Sequence, residues 1–278
     1  MKPTPSLPSK LAQPLPATER RAPSRPGPKG DPHERVQGPV LLPLPALLAF
    51  GAHPDDLEFG CGGVLAQESR AGRAIHLVIC SRGEAGSHGT PNQRSSEAQN
   101  AAALLGATVE FIELDGDAHL EMRAAHALKL AKIIRRIRPE AVLAPSVVEN
   151  QHPDHARLGK LVRDASRLAR YGGLKELRPQ KPHAIGQLLY YAVTPEAEPR
   201  DITPVLIDVS TPEIISVWIA AMQAHASQTS ARGYVELQLA RARLLGMRAG
   251  VEYAIALFPN EPLVFESLGQ TSRSARRF

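Results

Sequence analysis

An α/β fold built on a doubly wound, mostly parallel sheet is predicted by three observations. Short apolar runs alternate with helical stretches through the first half of the folded chain, the pattern of a parallel sheet with right-handed crossovers. Two of those runs, about a hundred residues apart, end in the same tripeptide, His53-Pro54-Asp55 and His152-Pro153-Asp154. The 278 residues are 43% hydrophobic and only 4% aromatic, enough for one large core or two small ones and biased towards helix by Ala and Leu.

Residues 1–44 are rich in Pro and basic residues and show no hydrophobic period, so they read as a disordered tail or an overextended start. The apolar run 46–52 is the first strand. Gly60, Gly62 and Gly63 are expected to turn the backbone before a helix over 62–71, stopped by Gly72. Residues 74–80 form the second strand, and 81–90, with Gly83, Gly86 and Gly89, a polar loop. Pro91 suits the first turn of a helix to 105, ended by Gly106. A third strand over 108–114 precedes a helix over 123–138, where Leu128, Ala131, Ile134 and Ile137 share one face. Residues 141–144 are the fourth strand and 155–169 the next helix. The rest forms a C-terminal α+β extension. It has a polar excursion at 172–181, strands at 188–193 and 205–208, helices at 212–226 and 231–249, and a last strand over 251–258. The helix over 231–249 carries several Arg and Leu and reads as a packed helix with a solvated basic face. The domain is expected to span 45–268, followed by a basic tail over 269–278.

The net charge of +5 sits in the tails. Residues 1–38 contribute +4 and 271–278 contribute +3, which leaves 39–270 at −2. A nucleic-acid-binding core is therefore not supported. Two cysteines, Cys61 and Cys80, do not make a disulfide framework, and both read as small apolar residues. No apolar run reaches the ~18 residues of a membrane span. No charged start with an apolar stretch marks a signal peptide, so a cytoplasmic location is expected.

The chemistry concentrates in His53-Pro-Asp-Asp-Leu-Glu58, which puts one imidazole and three carboxylates within six residues of a strand end. In open α/β sheets ligands bind beyond the carboxyl ends of the strands. Clustered carboxylates repel unless a cation or a proton relieves them, and His with Asp suits zinc. The stretch Asn150-Gln-His-Pro-Asp-His155 supplies a second strand end of the same kind. In a parallel sheet the two can be neighbours, with converging side chains.

The pair His-Pro-Asp-Asp-x-Glu and His-Pro-Asp-His resembles the LmbE/PIG-L family of zinc-dependent N-acetylglucosamine-type deacetylases. Ser81-Arg-Gly-Glu-Ala-Gly86, Arg94-Ser-Ser-Glu97 with Ala101-Ala-Ala-Leu-Leu-Gly106, and 246–253 extend the likeness over roughly 46–265. The last of these is similar to the branch that deacetylates N-acetylglucosaminyl-malate in bacillithiol synthesis. The resemblance implies a Rossmann-like fold and one Zn2+ per chain, or Fe2+ or another divalent ion, held by His53, Asp56 and His155. It implies Asp55 as general base, His152 as proton donor or oxyanion stabiliser, and Asp154 as the carboxylate that holds His152. Arg94 is expected to anchor substrate, with Ser81 and Arg82 lining the same cleft. Glu58 and His225 match the pattern without a derivable role, and His88, His119, His126 and His183 are expected to be solvated. The implied partner is a small N-acetylated sugar conjugate, and the implied assembly a homo-oligomer, trimer or hexamer. Two other classes fit less well. An iron(II) oxygenase also uses two His and a carboxylate, but with His-x-Asp/Glu spacing on all-β folds. A non-catalytic metal- or sugar-binding protein would lack the base and acid that Asp55 and His152 provide.

Overall fold

The computed structural model describes residues 44–149, 152–230, 233–268 and 273–275. The Pro-rich segment read over 1–44, apart from its last residue, and most of the basic C-terminal tail lie outside the described residues. Seven strands form one mixed sheet in the order β3-β2-β1-β4-β5-β7-β6. They are β1 (Leu47–Gly51), β2 (Ile75–Ile79), β3 (Thr108–Phe111), β4 (Ala141–Pro145), β5 (Gln187–Tyr191), β6 (Val205–Asp208) and β7 (Ala254–Pro259). The first five pair in parallel, and β7 runs antiparallel to both β5 and β6. The helices are α1 (Asp56–Arg70), α2 (Pro91–Leu104), α3 (Ala124–Ile137), α4 (Pro153–Arg170), α5 (Pro212–Gln223), α6 (Ala226–Thr229) and α7 (Tyr234–Ala249).

Strand residues alternate between two cores, as the two-residue period of a strand requires. Leu47 and Ala49 of β1 join the layer with α1, α2 and α5, whereas Leu48 and Phe50 join the layer with α3 and α4. Every residue of β1 is buried, which fits a central strand covered on both faces. Strand order reverses at β1, which lies between β2 and β4. This is the switch point where such sheets open a crevice beyond their carboxyl ends.

Two local expectations are corrected. The glycines after β1 do not form a turn but lie inside α1, which starts at Asp56. They are glycine because of close approach. A Cβ on Gly60 would overlap the Tyr191 ring, and one on Gly62 or Gly63 would come within 2.7 Å of Trp218 or 2.9 Å of Ile255. His126 is not solvated but buried, its Nε2 2.7 Å from Asp115 Oδ2. Cys61 and Cys80 are buried free thiols. Among the described residues no helix is long and apolar enough to cross a membrane.

Candidate metal centre

The site assembles where β1 and β4 lie side by side, in the register Leu47↔Ala141. Beyond β1 the chain passes through His53, Pro54 and Asp55 into α1. Asp55 takes a left-handed backbone, φ 106 and ψ −26, which costs a non-glycine residue free energy. Beyond β4 a loop leads to His152, which precedes α4. Pro153 takes the first helical position, where its missing N–H costs nothing, and Asp154 and His155 follow in the first turn.

Three side chains converge. His53 Nδ1 lies 3.2 Å from His155 Nε2, His155 Nε2 lies 3.0 Å from Asp56 Oδ1, and His53 Nδ1 lies 3.6 Å from Asp56 Oδ2. Tetrahedral bonds of about 2.0–2.1 Å would hold their ligand atoms about 3.3 Å apart, so this spacing fits a single small divalent ion. The Asp56 carboxylate is aimed by its own backbone, since Oδ2 accepts the N–H groups of Ala52 at 2.8 Å and His53 at 2.9 Å. His53 Nε2 faces the other way, 3.0 Å from Asp117 Oδ1 and 3.6 Å from Asp154 Oδ2, off the axis of a straight hydrogen bond. A carboxylate on the distal nitrogen is the usual companion of a metal-bound imidazole. Around His53 two overlapping groups with ligand spacing form, His53/His152/His155 and His53/Asp117/His152/Asp154.

Electrostatics follow from this crowding. Burial pushes the Asp55 carboxyl up to about 6, with the Asp56 charge adding to it and Arg94 opposing. Burial acts in the same direction on Asp56, but the charges of His155 and His53 outweigh it and hold Asp56 well below the carboxylate range. His53 is driven up despite its burial, chiefly by Asp56. Burial opposes ionisation of Asp117 and Asp154 too, yet His152 and His53 hold Asp117 low and His53 holds Asp154 low.

The remaining expected residues fall in unequal places. His152 is the most open of the imidazoles, with its side chain 33% exposed and its Nε2 3.6 Å from Asp117 Oδ1. Asp154 lies towards His53 and accepts the Ala118 N–H at 2.8 Å. Arg94 is revised from a cleft-facing anchor to a buried one, because its Nη1 and Nη2 are engaged inside the protein, while Nε is buried without a hydrogen-bond partner. Nη1 donates to Gly83 O at 2.9 Å, and Nη2 to Pro54 O at 2.9 Å and Asp55 Oδ2 at 3.3 Å. Ser81 is also buried, donating to Ala52 O at 2.8 Å. Arg82 is exposed and paired with Glu113 at 3.0 Å. Sequence reading missed Asp117, on the loop after β3. Its signal was the Asp115-Gly116-Asp117 stretch, a third strand end with carboxylates. Asp117 is locked by the β2–α2 loop, for Oδ2 accepts the Ala85 N–H at 3.2 Å and its own N–H donates to Glu84 Oε1 at 2.8 Å. Glu58 and His225, left without roles, form a buried pair 3.2 Å apart.

Comparison with known proteins agrees with this architecture. Over 156 residues, 52% of this chain and 60% of the relative, the sequence is 31% identical to 4-oxalmesaconate hydratase of Pseudomonas putida. It is 27% identical over 198 residues to diacetylchitobiose deacetylase of Thermococcus kodakarensis, covering 66% of this chain and 69% of that one. The chain thus spans less than two thirds of the hydratase's length. The crystal structure of a conserved protein from Thermus thermophilus superposes with a TM-score of 0.72 at 31% identity, covering 83% of this chain and all of that one. Residues 48–166, which hold every strand end of the site, match PIG-L, described as GlcNAc-PI de-N-acetylase, and the chain belongs to that family.

Proposed function

We propose that the protein is a metal-dependent deacetylase that hydrolyses the N-acetyl group of an N-acetylglucosamine conjugate. The observation that carries this reading is the convergence of His53, Asp56 and His155 with a non-ligand carboxylate, Asp55, beside them. A divalent ion, zinc in this proposal, supplies when bound there an acidified water and a Lewis acid for the amide carbonyl. Asp55, beside the ligands but outside their set, takes the proton of the attacking water. Arg94 acts through Asp55, holding its Oδ2 and the Pro54 carbonyl that precedes it. His152, at the open side of the site, donates a proton to the leaving amine, with Asp117 and Asp154 on the far side of the imidazole pair.

The family match and the diacetylchitobiose deacetylase of T. kodakarensis favour an amide of a sugar over the hydratase reading that the P. putida relative raises. A malate on the far end of the sugar, as in the bacillithiol branch, stays compatible because Arg82 stands exposed on the β2–α2 loop. A homo-oligomer, which rests on the resemblance alone, a cytoplasmic location and a domain over 45–268 belong to the same proposal.

The test is acetate release from a panel of N-acetylglucosamine conjugates, neutral and malate-linked, with and without a chelator. Acetate that vanishes with chelator and returns with zinc supports the reading. Water addition to an unsaturated carboxylate, with no acetate from any conjugate, overturns it.

A further inference from the structure

The first turn of α1 carries Asp56, and its Leu57 and Phe59 are buried in the core. The glycines that follow, Gly60, Gly62 and Gly63, add no side chains of their own. At Cys61 the backbone leaves helical values, φ −149 and ψ 15, so the turn is hinged off the rest of α1. It is fixed from outside. Trp218 Nε1 donates to Glu58 O at 2.7 Å, and His225 Nε2 lies 3.2 Å from Glu58 Oε2, a charge contact off hydrogen-bond geometry, with the His225 and Glu58 side chains about 1% exposed.

His225 opens a short segment with two further grips. The N–H and hydroxyl of Ser227 donate to Glu97 Oε1 at 2.9 Å and Oε2 at 2.6 Å. Glu97 lies on α2, one turn after Arg94, which holds Asp55. Gln228 Nε2 donates to His88 O at 2.9 Å, on the β2–α2 loop. One tetrapeptide from the C-terminal half thus holds α1, α2 and the loop between β2 and α2.

We propose that His225-Ala226-Ser227-Gln228 is a positioning latch that fixes the turn bearing Asp56 through Glu58 and steadies α2 behind Asp55 through Glu97, and so sets the affinity of the site for its metal. The inference rests on the reading of His53, Asp56 and His155 as ligands. Stability alone does not account for the latch. Desolvating an acid and an imidazole together offsets most of their attraction, and apolar replacements of such buried pairs are often neutral or stabilising. Groups just outside a metal's ligands commonly change affinity or activity on the order of 10–100-fold when removed.

The experiment is zinc titration of the full chain against a chromogenic chelator, for wild type, His225→Gln, Ser227→Ala and Ser227→Thr, with far-UV circular dichroism to verify folding. The zinc Kd is expected to rise about 10–100-fold in His225→Gln. It should rise less in Ser227→Ala and return towards wild type in Ser227→Thr, which keeps the hydroxyl. A folded His225→Gln protein with the wild-type Kd overturns the latch. If that variant does not fold, Ser227→Ala and Ser227→Thr decide alone, and equal wild-type affinities overturn it. The readout needs no substrate. Weakened zinc binding without acetate release sinks the deacetylase reading and leaves the latch standing. A wild-type chain that takes up no zinc sinks the ligand assignment and the latch together.

Discussion

His53-Pro54-Asp55-Asp56 and His152-Pro153-Asp154-His155 follow two neighbouring parallel strands, and the same three residues do different work in each. After β1 the motif comes almost at once, and α1 does not begin until Asp56. After β4 a longer loop intervenes, and α4 begins at Pro153. The third residue is therefore outside the helix in one motif and inside it in the other. Asp55, at φ 106, is thrust to the side of the ligands, whereas Asp154 sits in a regular first turn and accepts the Ala118 N–H. Only the fourth residues, Asp56 and His155, play matching parts, 3.0 Å apart. Helix start, more than residue type, decides which carboxylate is left able to act on a substrate.

The fourth position gives the largest expected effect. Asp56→Ala or His155→Ala should drop metal content from about one ion per chain to near none, because three protein ligands are the usual catalytic set. His152→Ala should keep the metal, measured by elemental analysis. Loss of metal in His152→Ala would make the two motifs equivalent in ligation and erase the contrast. The third position comes next. Asp55→Asn should lower kcat on the order of 10²–10⁴-fold with metal retained. Asp154→Asn should cost about 10-fold, mostly through metal binding. Equal losses in kcat would break the comparison.

Smaller effects concern stability. The pH dependence has a definite sign. Folding raises the Asp55 carboxyl to about 6, so its contribution to stability is greatest below its ordinary pKa and is lost as pH rises through 6. Metal-free wild type should lose at most about 3 kcal/mol relative to Asp55→Asn between about pH 4 and pH 6, followed by urea melts. A wild-type slope no steeper than that of Asp55→Asn would mean that the carboxyl is not held near 6. The smallest effect is Arg138→Gly. Its φ of 54 at the end of α3 comes before β4, whereas the His152 motif follows that strand, and relief there should add about 1 kcal/mol with activity unchanged.

Much of this was legible in the sequence, for identifiable reasons. The alternation of apolar runs and helices located strands within a residue or two because each of β1, β2 and β4 is a nearly continuous buried run. The two His-Pro-Asp motifs pointed at each other because parallel neighbours put their carboxyl ends together. Contacts between distant segments were not legible. Nothing local says that Gly60 lies under Tyr191, that Glu58 meets His225, or that Asp117 arrives from a third loop. Arg94 was misread for a related reason. A helical Arg after a flexible loop looks free until Gly83, Pro54 and Asp55 are seen to enclose it.

The pairing of β1 with β4 also fixes when the site comes into being. His53 and Asp56 leave the ribosome early, whereas His155 follows about a hundred residues later, after three crossovers. On the proposed ligand set, the third ligand meets the other two only where β4 is docked against β1, a pairing across about a hundred residues of sequence. The ion of that proposal therefore cannot be held by all three before this pairing exists, and metal uptake would report the docking of β4 on β1.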